Sequence, residues 1–401
     1  MKNLLDKALR EATRLTGAGK LAEATTAIQR ALGDSVSKRS ADARLARNGG
    51  SMVAALVGKV AALAPAKGPQ QRAPQADGAT PGISARGSAT TASAASFEEQ
   101  TYTGPSGTRS YKLFVPGGHA GKMLPLVVML HGCAQSPDDF AAGTRMNELA
   151  QQRGFLVLYP AQAPRSNTSK CWNWFVPGDQ RRGGGEPDLL AGMTRDVMAT
   201  HPVDPARVYV AGLSAGGAMA DILGREYPDL YAAVGVHSGL PQGAAHDVAS
   251  AFVAMRHGAD GIGVGIQTHG QRTEPPRNGE RRTGARRAPT IVFHGDRDGT
   301  VHPNNGTQVI DAVLGADAAN RDRTVAPSEQ STAGGREVTR TVHRRPGASD
   351  SEPSLAEHWV VHGTGHAWSG GSPAGSYTDA AGPDASQEMI RFFFEHPRRS
   401  A

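Results

Sequence analysis

The ten residues YVAGLSAGGA, Tyr209 to Ala218, set Ser214 between Gly212 and Gly216 at the spacing G-x-S-x-G. A pattern this short recurs by chance, so its flanks decide what it means. Upstream, RVYVAG is an apolar run of strand type, and downstream AGGAMADILGREYP repeats its apolar residues at helical spacing. Ser214 therefore falls at a strand-to-helix turn. In that setting the two glycines let strand and helix pack closely around a strained serine and leave its Oγ exposed. The helix beginning beyond it supplies amide donors and the positive end of a dipole where an oxyanion would form. A serine that only caps a helix has no need of both glycines.

Outward from this turn the pattern alternates. RSYKLFVP reads as a strand, and LPLVVMLHG as a buried one because its apolar run is continuous. DDFAAGTRMNELAQQRG is predicted as one helix opened by a capping Asp. FLVLYP follows as a strand, DLLAGMTRDVMATH as a helix and YAAVGVHSG as a strand after the central helix. PTIVFHG and EHWVVHG supply two later strands, and DASQEMIRFFFEH closes as a helix. Strand–helix alternation of this kind predicts an α/β domain with a mostly parallel sheet covered on both faces.

That domain is expected over 98–401, with flexible insertions near 256–288 and 315–353, both rich in Gly, Arg, Thr and Pro. Before it, residues 1–34 read as a helical hairpin joined at TGAGK, a small docking unit for an unidentified partner. Residues 35–97 form a linker. From about Ala64 it is Ala, Gly, Pro, Ser, Thr and Gln with almost no large apolar residue, a composition that cannot offset its ordering entropy.

The formal charge of +6 comes from scattered arginines, many in stretches such as RNGERRTGARR, with no basic helix or aromatic-rich motif beside them. Solvated loop charge accounts for it, and no nucleic-acid partner is expected. The first residues, MKNLLDKALREATRLTG, are charged throughout and show no secretory h-region. The longest apolar stretch, MVAALVGKVAALAPA from Met52, is broken by Lys59 and falls short of a membrane span. Two cysteines, Cys133 and Cys171, make neither a disulfide framework nor a four-ligand zinc site. The 14 histidines form no H-E-x-x-H or similar cluster. No metal or cofactor is expected.

A serine hydroxyl attacks only when a base takes its proton and a third group orients that base. Behind a turn of this kind the order along the chain is Ser, then Asp or Glu, then His. IVFHGDRDGTV offers Asp296 and Asp298, and WVVHGTGHAWSGG offers His362 and His366. Asp298 lies farther into the loop above the strand end, whereas Asp296, beside Gly295, is placed to stabilise the turn. His366 follows Gly-Thr-Gly in a loop that can reach the serine, whereas His362 ends the strand and reads as structural. The expected oxyanion donors are the backbone N–H groups of Ala215 and of Cys133, the latter in the loop after the buried strand VVMLHG. Trp172, Trp174 and Trp368 are candidates for an apolar substrate wall or, equally, for the core.

LHGCAQSPDDFA, CWNWF, GEPDLLAGM, VDPARVYVAGLSAGGAMA, TIVFHGDRDGTVHP and GHAWSGGSPAGSYTDAAGPDASQEMIRFFFEH, in this order, resemble the polyhydroxybutyrate depolymerase family of serine esterases. The resemblance covers roughly residues 98 to 397. It implies an α/β-hydrolase fold of the type 1 catalytic kind and a triad of Ser214, Asp298 and His366. It also implies a Cys133–Cys171 disulfide tying the oxyanion loop to CWNWF. A bridge and the family itself point to an extracellular protein, whereas the N-terminus, taken literally, points to the cytoplasm. No substrate-binding module is expected after the catalytic domain, so soluble hydroxyalkanoate oligomers and short-chain esters stand beside insoluble polymer as expected substrates. Feruloyl and acetylxylan esterases share similar motifs and form the second enzymatic reading, with peptidase or aryl-esterase activity on the same triad behind it. A catalytically inactive hydrolase-fold binding protein is the reading outside enzymology.

Overall fold

The computed structural model describes residues 94–119, 121–259, 287–315, 328–345, 347–349 and 351–398. The expected helical hairpin, the linker up to residue 93 and residues 260–286 of the basic stretch lie outside them.

The described chain begins with an antiparallel pair, β1 (Ser96–Gly104) and β2 (Gly107–Val115). Then come β3 (Leu124–Leu130), β4 (Leu156–Pro160), β5 (Val203–Leu213), β6 (Ala233–His237) and β7 (Thr290–Gly295). A hairpin of β8 (Glu329–Ala333) and β9 (Arg336–His343) precedes β10 (Ala356–Val361). One sheet holds all ten in the order β1-β2-β4-β3-β5-β6-β7-β10-β9-β8. Its six central strands, β4 to β10, run parallel, and the flanking strands are antiparallel. This is the α/β-hydrolase fold. The pairs β1–β2, β8–β9 and β9–β10 are antiparallel across short connections, whereas parallel neighbours need a long crossover.

Among the described residues seven α-helices cover the sheet: α1 (Pro137–Thr144), α2 (Met146–Arg153), α3 (Gly185–Thr200), α4 (Ala215–Glu226), α5 (Val248–His257), α6 (Asn304–Leu314) and α7 (Ala385–Glu395). The alternation of side chains along each strand separates two cores. Leu126, Val128 and Leu130 of β3 join Val208 and Val210 of β5 beneath Leu190, Ile222 and Val309, from α3, α4 and α6. Val127, Met129, Tyr209 and Ala211 face the other way, onto Phe140, Met146, Met389 and Phe393 of α1, α2 and α7. Every residue of β3 is buried, as its unbroken apolar run requires.

Three expectations are corrected. The single helix over DDFAAGTRMNELAQQRG is two, because Arg145 adopts φ 53° and closes α1 with its N–H on the Ala141 carbonyl. Its cap is Ser136 rather than Asp, the hydroxyl accepting from Asp139 N–H at 3.2 Å. The stretch 315–353, expected as a flexible insertion, contributes β8 and β9. Its polar side chains alternate around a sheet edge, where only Val338 and Val342 of β9 are buried. In addition, β1 starts at Ser96, ahead of the expected domain start at Glu98.

Candidate active site

β5 ends at Leu213 and α4 begins at Ala215, leaving Ser214 as the single residue of the turn at φ 58° and ψ −120°. A non-glycine residue pays for that backbone, and such strain persists only where the surroundings over-determine it. A Cβ on Gly216 would overlap the Leu130 carbonyl, and one on Gly212 would overlap the Gly216 carbonyl. β3, β5 and α4 thus approach too closely for any side chain at the two glycines. The Ser214 N–H donates to the His237 carbonyl at 2.9 Å. Its side chain makes no capping bond to α4, so the hydroxyl is not spent on the helix.

Asp298 and His366 meet in the loops after β7 and β10. Nδ1–H of His366 donates to Asp298 Oδ2 at 2.7 Å, a tautomer that leaves Nε2 as an acceptor. The other carboxylate oxygen accepts from the N–H groups of Thr300 and Val301, both at 2.9 Å. Burial pushes the Asp298 carboxyl up. The His366 hydrogen bond and charge, the Val301 amide and His294 outweigh it and hold it below the ordinary range. Asp296 and His362 form a separate, more exposed pair at 3.0 Å, and Asp296 also accepts from Gly363 N–H at 2.7 Å.

The loop after β3 lies against the serine: a Cβ on Gly132 would stand 3.6 Å from Ser214 Cβ. His131 orients this loop. Its Nε2 accepts from Gln162 N–H at 3.1 Å, so Nδ1 carries the proton and donates to the Gly132 carbonyl at 2.7 Å. A trans peptide points its C=O and N–H in opposite directions, so holding the Gly132 carbonyl also aims the Cys133 N–H. That N–H meets no acceptor among the described residues. Ala215 N–H, at the first position of α4, stands outside the intrahelical ladder. Burial lowers the His131 pKa to about 4, keeping the ring neutral.

A disulfide joins Cys133 to Cys171, Cα to Cα 4.2 Å. Beneath it, Glu186 accepts from Asn173 N–H at 2.7 Å and Asn173 Nδ2 at 3.0 Å, and from Gln162. Arg109 is 3.8 Å away. Burial and the charge of Asp179 push the Glu186 carboxyl up to about 7, against Gln162, Asn173 and Arg109, which pull it down. The Arg109 guanidinium is itself lowered by burial. At this distance desolvation outweighs the attraction for both partners.

The three tryptophans are buried. Trp172, 0% exposed, donates Nε1–H to the His131 carbonyl at 3.1 Å. Trp368, 1% exposed, stacks on His237 at 5.0 Å and meets Phe140 edge-on. Trp174 lies in the same core as Trp172. Both Trp172 and Trp368 support loops of the site from behind rather than walling a pocket.

Two features escaped the sequence reading. His237 holds Ser214 through its carbonyl, and its Nε2 accepts from Ser369 N–H at 2.9 Å, in the loop that carries His366. Gln135 accepts from Gly132 N–H at 2.8 Å and donates to Asp139 at 2.9 Å and to the Ser376 carbonyl at 3.1 Å. The only sequence signal for either is position, His237 at a strand end and Gln135 in the loop after β3.

The family model described as Esterase PHB depolymerase matches residues 109–326. The chain is 32% identical to "Poly(3-hydroxyalkanoate) depolymerase C" of Paucimonas lemoignei over 264 residues, 66% of this chain and 59% of that protein. It is 28% identical to "Feruloyl esterase B" of Neurospora crassa over 310 residues, 76% of this chain and 94% of that one. Among solved structures it is similar to "Acetyl xylan esterase from Aspergillus awamori", with TM-score 0.49 and 19% identity over 74% of this chain and 99% of that one.

Proposed function

The chain belongs to the esterase PHB depolymerase family, and from that premise we propose that it is a serine esterase acting through Ser214, His366 and Asp298 on short-chain hydroxyalkanoate esters. His366 Nε2 takes the Ser214 hydroxyl proton as Oγ attacks the ester carbonyl, while Asp298 holds the imidazole and balances its charge. The N–H groups of Cys133 and Ala215 hold the oxyanion. The tetrahedral adduct collapses, the C–O bond to the alcohol breaks, and His366 returns the proton to the departing oxygen. Water, deprotonated by the same imidazole, then hydrolyses the acyl-enzyme and restores Ser214.

The observation that carries this reading is the strained Ser214 with an uncommitted side chain, against a loop whose free N–H is aimed by His131. The hydroxyalkanoate substrate is supported by the depolymerase relative, of which the alignment spans 59%. A feruloyl-type carbohydrate ester is the second reading, favoured by the relative that is matched over 94% of its length. Ser214→Ala is expected to abolish turnover of p-nitrophenyl butyrate in a protein that melts like wild type; undiminished turnover overturns the assignment. Rates on 3-hydroxybutyrate oligomers, amorphous polymer and methyl ferulate then separate the two substrate classes.

A further inference from the structure

We propose that Tyr377 determines specificity by packing against the alcohol portion of the ester, an inference that rests on the esterase reading above. Tyr377 is 41% exposed, with Met123 and Phe252 the other large apolar side chains that face solvent among the described residues. Of the three, it is the one whose ring contacts His366, edge-to-face with centroids 6.5 Å apart.

Its display is enforced. Tyr377 sits at φ 53°, in the left-handed region that a bulky residue avoids. The backbone is held there from both sides. Ser376 donates its N–H and its hydroxyl to Asp139 at 2.9 and 2.5 Å, and its carbonyl accepts from Gln135. The Tyr377 carbonyl accepts from Trp368 N–H at 2.7 Å. Gln135 also accepts from Gly132 N–H, so the clamp that presents the ring is continuous with the oxyanion loop. A strained, exposed aromatic ring braced in this way is a surface kept for contact.

The direction of proton transfer says which part of the substrate it meets. In acylation the imidazole protonates the departing alkoxide, so the alcohol portion lies at His366 while the acyl carbon lies at Ser214. A ring flanking the imidazole meets the alcohol. An apolar chain or ring beyond the ester oxygen, such as the next hydroxyacyl unit of an oligomer, would cover the tyrosine face, whereas methanol cannot reach it. Once the alcohol has left, Tyr377 has nothing to hold.

The test uses the full chain and butyrate esters that differ only in the alcohol: methyl, hexyl and benzyl. Tyr377→Ala is expected to lower kcat/KM roughly three- to tenfold for the hexyl and benzyl esters, the scale of an aromatic contact, and less than about twofold for the methyl ester. Tyr377→Phe, which keeps the ring, stays near wild type across the series. Breakdown of the common butyryl-enzyme is unchanged in both variants. An equal loss on all three esters, or no loss on any, overturns the inference while the esterase reading stands. Absence of wild-type hydrolysis, together with no labelling of Ser214 by a phosphonate probe, overturns both.

Discussion

Asp298 accepts a 2.7 Å hydrogen bond from His366, while Asp296, two residues before it, accepts one of 3.0 Å from His362. The inner pair is buried on its acidic side, 0% exposed at Asp298, and the outer pair is about one-third exposed at both partners. The same acid–histidine pairing thus occurs twice, on acids two residues apart and histidines four apart, in two dielectric settings. Asp298→Asn is expected to lower kcat about 10⁴-fold by disturbing the His366 tautomer. Asp296→Asn should stay within about threefold, since an exposed pair contributes about 1 kcal/mol or less. Steady-state rates on p-nitrophenyl butyrate compare the two; a larger loss in Asp296→Asn would reverse the assignment.

The Cys133–Cys171 bridge closes a loop of sequence separation 38. Chain entropy alone puts its contribution at about 4 kcal/mol. The double variant Cys133→Ser/Cys171→Ser is expected to unfold at correspondingly lower urea. Below its transition it should lose kcat more than KM, because in the proposed mechanism the Cys133 amide acts on the oxyanion rather than on the ground state. Urea melts and kinetics on one preparation check both parts.

Glu186 binds its proton more tightly in the folded chain, with a pKa of about 7 against an unfolded value of 4.5. Its contribution is complete below pH 4.5 and is lost as pH rises through about 7, on the order of 3 kcal/mol in all. Glu186→Gln should therefore flatten the stability curve between pH 4.5 and 7. Unfolding free energies of the variant and wild type at pH 5 and pH 8 give the difference; an identical pH dependence would show that Glu186 does not titrate there.

His237 works in the opposite direction. Burial, with the charges of His294 and His366, lowers its pKa to about 3 from 6.5. The unfolded chain then binds the proton more readily, so its contribution is complete above pH 6.5 and is lost as pH falls towards about 3. His237→Gln is expected to be less stable at pH 7, having lost its stacking on Phe293 and Trp368, yet to fall less steeply on acidification. Thermal melts from pH 7 to pH 4 measure both slopes.

The central sheet was legible because burial on both faces makes β3, β5 and β7 continuous apolar runs, and because glycines at 212 and 216 mark a close crossing of backbones. The Asp298–His366 pairing was legible from loop position alone. Three kinds of feature were not. β8 and β9 lie at an edge, where half-exposed polar strands look like loop. The break at Arg145 is a left-handed residue that no composition marks. The bracing by His237, Gln135 and Glu186 depends on contacts between segments far apart in the chain, as between Gln135 and Ser376. For the tryptophans, residue type left substrate wall and core equally open, and the fold buries Trp172 and Trp368 in the core.

His237 holds the amide of Ser214 with its carbonyl and the amide of Ser369 with its ring. The Ser214 turn and the His366 loop therefore hang from one strand end instead of two independent supports. Variation in this protein can then be modular. On the proposal above, a change confined to the Tyr377 side chain is expected to retune the alcohol side while the backbone bonds that His237 makes stay in place.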